Sequence, residues 1–323
     1  MTPADRAQYG LASPTIPPDL VVTVGDCAPV QEDVTEALRV LRAVRPGVVM
    51  LHTSPGPEDV ATVGEIRAAL PGVRVWIQTP ANGLAGASTA KAQEIVRRYV
   101  QQAIALGAEV LSFNGEGASA PGRPGWKPGQ PLDAGALLTH AHDVLAAAAD
   151  EAGTRLHLAW SSHDHPQSHA LPWAAILGPT SPVALSLPQI YAEPGDGSRC
   201  SVAGARARFA ASRAQHEALA SRGVIRPEFV PGASSCVGYH QTHHHELAAL
   251  CWLLNQSALA ASWTVRADGA LCDDVGLLAL RVDAELRRQS GHAPGRIERF
   301  QAEHGLAVDG LVGPATLRLL GLA

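Results

Sequence analysis

Residues 109–117 read "EVLSFNGEG", and the fold turns on how this stretch is read. Residues 109–114 have the length and apolar content of a buried strand, and side chains on a strand alternate between two faces. Ser112, Asn114 and Glu116 then share one face, while Leu111 and Phe113 take the other. Small polar residues on one face, with an acid where the run breaks into glycine, suit a barrel strand whose outer face meets helices. Its inner face leads to a site. The plainer alternative is a loop glutamate paired with a nearby arginine.

Working outward, the same kind of run recurs along the chain. Strands are expected in "LVVTVGD" (20–26), "GVVMLHT" (47–53), "VRVWIQT" (73–79), "LHLAWSS" (156–162), "VALSLPQIY" (183–191), "IRPEFVP" (225–231) and "ALAASWT" (258–264), which with the opening stretch makes eight. Between them lie amphipathic segments at 31–44, 58–70, 88–106, 133–152, 169–177, 202–221, 244–256 and 273–288. The third is clear: Ile95, Val96, Tyr99, Val100, Ala103 and Ile104 recur at three- and four-residue steps behind Ser88 and Thr89. Strands alternating with helices indicate α/β architecture. Eight such units in roughly 270 residues fit a (β/α)8 TIM barrel. A doubly wound sheet is the alternative, but "VGDCAPVQED" after the first strand lacks the glycine-rich phosphate loop that usually marks one.

Composition narrows the function classes. Of 323 residues, 46% are hydrophobic and 17% charged, which fits a packed body and excludes a disordered chain. A formal net charge of -5 argues against a nucleic-acid partner, whose phosphates are neutralised by Lys and Arg. Cys27, Cys200, Cys236, Cys251 and Cys272 are odd in number and form no CxxC pair. They read as reduced thiols of a protein made in the cytoplasm. The first twenty residues lack the basic start and apolar core of a secretory signal, and no later run is long and apolar enough to insert in a membrane.

After Gln289 the composition shifts. "SGHAPG" (290–295) reads as a short break, dividing the chain into an arm (1–19), a barrel domain (20–289) and a tail (290–323). In the tail, "FQAEHGLAVDGLVGPATLRLL" (300–320) resembles the C-terminal half of a peptidoglycan-binding type 1 domain. The matching pieces are Phe300-Gln301, Gly305-Leu306, Val308-Asp309-Gly310 and Val312-Gly313-Pro314 with Thr316. That resemblance implies a shortened helical module binding bacterial peptidoglycan. A helical hairpin capping the underside of the barrel is the structural alternative.

In TIM barrels the site is built at the C-terminal ends of the strands. The carboxylates expected there are Asp26 after the first strand, Glu116 after the fourth, Asp164 beyond the fifth, Glu228 within the seventh, and Asp268, Asp273 and Asp274 after the eighth. Glycoside cleavage needs an acid to protonate the leaving oxygen. It also needs a second carboxylate or the substrate's own N-acetyl group to support the sugar cation. Asn114-Gly115-Glu116 is similar to the strand-four Asp-x-Glu of family 25 lysozymes and family 18 chitinase-like hydrolases, with Asn in the place of Asp. The resemblance implies Glu116 as general acid and Asn114 as the residue facing the acetamido group, where Asn can hydrogen-bond but carries no charge. Asp26 and Glu228 are the candidates for the second carboxylate.

Trp76, Trp160, Tyr191 and Trp263 offer flat faces for sugar rings, although each could equally pack in the core. Gln189 shares a strand face with Tyr191 and is a candidate for a substrate hydroxyl or acetamide. The loop "HDHPQSH" (163–169) brings His163 and Asp164 to the same end as substrate contacts. With "HQTHHH" (240–245) it also raises a rival, a zinc-dependent peptidoglycan amidase or peptidase. Against it, barrels similar to the amidohydrolase family carry His-x-His on the first strand, and this chain has "VGDCAP" there.

The reading as a whole is a peptidoglycan-degrading glycosidase of the phage endolysin type, a bacteriolytic muramidase or glucosaminidase. It is expected to act as a monomer without cofactor or metal and to reach the cell wall after release from the cytoplasm. A non-catalytic wall-binding protein on the same scaffold is the alternative outside the enzymes.

Overall fold

In the computed structural model of the chain, the described residues are 16–24, 34–53, 55–57, 59–81, 84, 87–115, 134–166, 171–190, 201–232, 235–236, 246–265 and 274–323. Strands and helices alternate: β1 (Leu20–Val24), α1 (Val34–Val44), β2 (Val48–His52), α2 (Asp59–Ala69), β3 (Arg74–Pro80), α3 (Thr89–Ala105), β4 (Val110–Asn114) and α4 (Ala134–Ala152). There follow β5 (His157–His163), α5 (Trp173–Ile176), β6 (Leu185–Gln189), α6 (Val202–Ser221), β7 (Ser235–Cys236), α7 (Leu247–Asn255), β8 (Ala260–Val265) and α8 (Asp274–Ser290). Two short helices, α9 (Arg296–Glu303) and α10 (Pro314–Leu319), end the chain. The strands pair in sequence order, all parallel, and β8 returns to β1, closing the sheet.

The class expected from the sequence, parallel α/β with strands curled around a shared core, is therefore what the chain adopts. The pairing is thin at one place. β7 has two residues and meets β6 through the single register pair Gln189↔Cys236.

Every residue of β1 and β4 is buried, on both faces. A parallel sheet covered by helices has this property, which is why its strands read as nearly continuous apolar runs. The two faces feed two cores. Val21, Val48, Met50, Trp76, Val110, Ala159 and Leu187 pack inside the barrel. Leu111, Phe113, Trp160 and their equivalents pack outward against the helices.

The helices follow their sequence signals. Ser88 caps α3, its side chain accepting from the Lys91 N–H, and Ala92, Val96, Val100 and Ala103 bury one stripe. Ser201 caps α6 in the same way through the Gly204 N–H.

Two expectations are corrected. Residues 225–231 do not form strand seven: Pro227–Phe229 is a 3-10 turn, because Pro227 has a fixed φ and no N–H to give to a ladder. The strand comes later, at Ser235–Cys236. The helix expected over 169–177 is only the four residues of α5.

The tail is joined to the barrel through buried charge. Arg296, on α9, is fully buried and pairs with Asp283 of α8, which also binds Arg287 at 2.6 Å. Arg296 further donates to the carbonyls of Leu254 and Ser257, and Arg287 to that of Ala258. Asn255 ties the same turn to α9, its Oδ1 accepting from the Ile297 N–H at 3.1 Å and its Nδ2 donating to Glu298 at 2.8 Å. Ile297 and Phe300 belong to the outer core. These contacts surround the α7–β8 turn, which lies at the N-terminal end of the sheet. Residue 289 is thus a boundary in composition that many contacts cross. At the same end, Ile16 of the N-terminal arm packs on the inner core and Asp19 receives Arg74 at 2.9 Å.

Candidate functional site at the C-terminal ends of the strands

Alternation along each strand divides the barrel interior into two levels. The lower level is the apolar inner core. Above it the inward positions turn polar: Thr23 follows Val21, Gln78 follows Trp76, Ser112 and Asn114 follow Val110, Ser161 follows Ala159, and Gln189 follows Leu187. His52 follows Met50 on β2 in the same way. This is the end at which barrel sites are built.

At its centre the Gln189 Nε2 donates to the Asn114 Oδ1 at 3.2 Å and to the Ser161 Oγ at 3.0 Å. All three residues are buried. The bond fixes the Asn114 amide, with its oxygen toward Gln189 and its NH2 directed away from it. The strand then leaves through Gly115. A Cβ at residue 115 would lie 2.6 Å from the Trp160 Cζ2, so only glycine lets the end of β4 lie against that ring. Among the described residues, this level of the interior carries no carboxylate and no lysine or arginine.

The structure brings together Asn114 and Gln189 of the residues expected from sequence. Glu116, Asp26 and Tyr191 lie outside the described residues, as do the side chains of His163 and Trp263. By backbone register His163 stands opposite Gln189, and Trp263 opposite Thr23.

Four residues take other places. Glu228 is in the 3-10 turn after α6, its side chain 57% exposed and 3.5 Å from Arg226. The neighbouring Arg226 N–H donates to the Leu177 carbonyl and its guanidinium to that of Val183, just before β6 begins. Glu228 is therefore at the N-terminal end of the sheet, opposite the candidate site. Trp160 points outward, buried with Phe113 at a centroid distance of 6.4 Å, so it packs the helix layer and offers no face to the interior. Trp76 points inward but belongs to the apolar lower level, fully buried.

Asp164 is at the expected end but is engaged. Its two oxygens lie 2.6 Å from Arg208 Nε and 2.6 Å from His165 Nδ1, and its backbone carbonyl accepts from Ser212. This cluster clamps the loop after β5 to α6, and it commits two residues of the His-rich loop to each other. Beneath it, burial pushes the His216 imidazole down to about 4, and its Nδ1 is 2.8 Å from the Ser212 carbonyl.

Sequence reading did not single out Thr23, Gln78 and Ser161 as site residues. The signal is present in "VRVWIQT": alternation from the inward Trp76 puts Gln78 on the same face. A glutamine closing an apolar run gives no further cue, because the run alone does not say which of its faces is inside.

The sequence matches no family model and no curated protein in comparison with known proteins. Its fold does have solved counterparts. A GH26 beta-mannanase from Bacteroides ovatus is similar with a TM-score of 0.50 at 10% identity, over 83% of this chain and 88% of that one. A Cellulomonas fimi endo-beta-1,4-mannanase double mutant gives 0.50 at 12% identity, over 82% and 70%. A putative chitinase A from Streptomyces coelicolor gives 0.47 at 12%, over 82% and 98%. At such identities the likeness with the two mannanases establishes a shared fold and leaves the chemistry to the site itself.

Proposed function

We propose that the chain is a (β/α)8 TIM-barrel glycoside hydrolase that cleaves the glycan strands of bacterial peptidoglycan, with Glu116 as general acid. The observation that carries this reading is the Gln189–Asn114–Ser161 arrangement at the C-terminal ends of β6, β4 and β5. It is a neutral, rigid amide group in the barrel interior, two residues before Glu116 in the chain. Neutral amides and hydroxyls suit an uncharged sugar ring.

In this mechanism Asn114, held by Gln189, donates its NH2 to the substrate's acetamido carbonyl and orients that group. Glu116 protonates the glycosidic oxygen as the bond to the anomeric carbon breaks. The position of Glu228 at the far end of the sheet removes it as second carboxylate. The sugar cation is then supported by Asp26 or by the oriented acetamido oxygen. The peptidoglycan assignment rests on the tail's resemblance, and the exposed Val308 and Leu319 supply apolar surface for wall contact.

Glu116→Gln keeps the shape of the side chain and removes its proton, so turnover on purified peptidoglycan should fall by about 10² or more. Glu228→Gln should leave both turnover and stability as they are. Mass spectrometry of the digest reads the new terminus: a reducing sugar supports the proposal. A free amine from amide cleavage, or a Glu116→Gln protein of normal activity, overturns it.

A further inference from the structure

Among the described residues of the polar level, the Gln78 Oε1 and Nε2, the Ser112 Oγ and the Thr23 Oγ1 are buried and make no hydrogen bond. Gln78, Ser112 and Thr23 are each 0% exposed. Gln78 and Ser112 are direct partners in the β3–β4 register, and both point inward, directly above the apolar level that holds Trp76 and Val110. A buried amide with neither end satisfied costs stability, and native proteins rarely keep one without a use for it. The costs here fall on Gln78 and its register partner Ser112, with Thr23 two strands away from Gln78 on β1. In the adjoining part of the polar level, the Gln189 Nε2 is bonded to Asn114 and Ser161.

We infer that Gln78 and Ser112, with Thr23, form a deep binding subsite for an uncharged group carrying both hydrogen-bond donors and acceptors, as the hydroxyl or acetamido substituents of a sugar ring do. The inference rests on the glycosidase reading and names the part of the site that selects the ring. Three features define the ligand. Gln78 presents a donor and an acceptor side by side, which pairs with two adjacent hydroxyls or with an amide edge. Ser112 adds a group that both gives and accepts. The absence of carboxylates among the described residues of this level, where His52 stands beside Gln78 in the register, disfavours an ammonium ligand, which would be desolvated there without a counter-charge. Trp76 and Val110 lie beneath them as an apolar floor. Gln78 and Ser112 each lie two residues before the end of their strands, one side-chain level below the rim.

The test is calorimetric titration of the full chain and of its Gln78→Met and Ser112→Ala variants with two probes, the tetramer of N-acetylglucosamine and mannotetraose. Thermal unfolding of each protein is measured in parallel. The wild type should bind at least one probe, and which one it binds tells an acetamido group from a pair of hydroxyls. Each variant should bind that probe about tenfold more weakly, the loss of one uncharged hydrogen bond. Its Tm should be equal or higher, since Met fills the same space without an unsatisfied amide. Should Gln78→Met fail to fold, Ser112→Ala, which removes a single atom, decides.

Unchanged affinity in the variants, or a wild type that binds neither probe, overturns the inference. So does a lowered Tm with affinity intact, which would make Gln78 a structural residue. The glycosidase reading fails separately: binding lost in the variants while the wild type cleaves no glycan sinks that reading and leaves the subsite standing. Normal cleavage with unchanged KM in both variants does the reverse.

Discussion

The two ends of the barrel treat buried polarity in opposite ways. At the N-terminal end, Asp283, Arg287 and Arg296 are buried and every oxygen and guanidinium edge has a partner, including the carbonyls of Leu254, Ser257 and Ala258. Burial opposes the charged form of Asp283, but the two guanidiniums outweigh it and hold its carboxyl below the usual range. In the barrel interior at the C-terminal end the described residues include no carboxylate, lysine or arginine, the Asp164–Arg208 pair lying outside it against α6, and Gln78, Ser112 and Thr23 have side-chain atoms with no partner in the protein. Charges closed among themselves can only hold the chain together. Neutral groups with bonds unmade remain available to a ligand. The N-terminal end is fastened by closed charge, and the C-terminal end is the one at which this fold class builds its sites.

The sharpest way to break the comparison is at Arg296. Arg296→Met leaves Asp283 with one cation and the Leu254 carbonyl short of its donor, so it should cost about 3–5 kcal/mol. Urea unfolding measures this directly. A loss below about 1 kcal/mol would mean that the charges at this end are dispensable and that the contrast is only one of appearance.

His216, on the flank between the two ends, gives a pH-dependent test. Burial lowers its folded-state pKa from about 6.5 to about 4, so between those values the unfolded chain binds a proton that the folded chain refuses. Its contribution is present above pH 6.5 and lost as the pH falls toward 4, amounting to about 3 kcal/mol at the acid limit. The slope of Tm against pH across this window should be smaller in His216→Leu than in the wild type. Equal slopes would show that His216 is not held neutral.

The smallest effect is expected at the mouth. A Cβ on Gly115 would press on Trp160, so Gly115→Ala should cost about 1–3 kcal/mol through overpacking. Its greater consequence should be functional, since the displaced segment leads into Glu116. A drop in turnover larger than the drop in stability would confirm that the contact sets the rim. A Tm change without any effect on turnover would assign Trp160 to packing alone.

Much of this was legible from local signals. Val202–Ser221 and the strand containing Phe113 stand where capping and alternation put them, because both depend on neighbours within a few residues. The inward placement of Asn114 and Gln189 follows from alternation as well. What escaped depends on distant contacts. Ser235–Cys236 is too short to show a period, and Pro227 interrupts a run that otherwise reads as a strand. The fate of Trp76 and Trp160 could not be told from residue type, since an aromatic fits an inner floor or an outer layer equally well. Trp160 goes outward only because Ala159 and Ser161 go inward. The attachment of the tail is the clearest case. Nothing local in "GRIERF" announces that Arg296 will reach an aspartate in the preceding helix.

That attachment has a consequence for biosynthesis. In a chain growing from its N-terminal side, the contacts of Arg296 cannot form until residues near 296 have left the exit tunnel. At roughly 5–20 residues per second, the strands are exposed for tens of seconds before the last helices arrive. During that interval Asp283 has Arg287 as partner but not Arg296, and the Leu254 carbonyl lacks its donor. A chain cut before residue 296 lacks that fastening, and proteolysis should digest it faster than the chain that carries it.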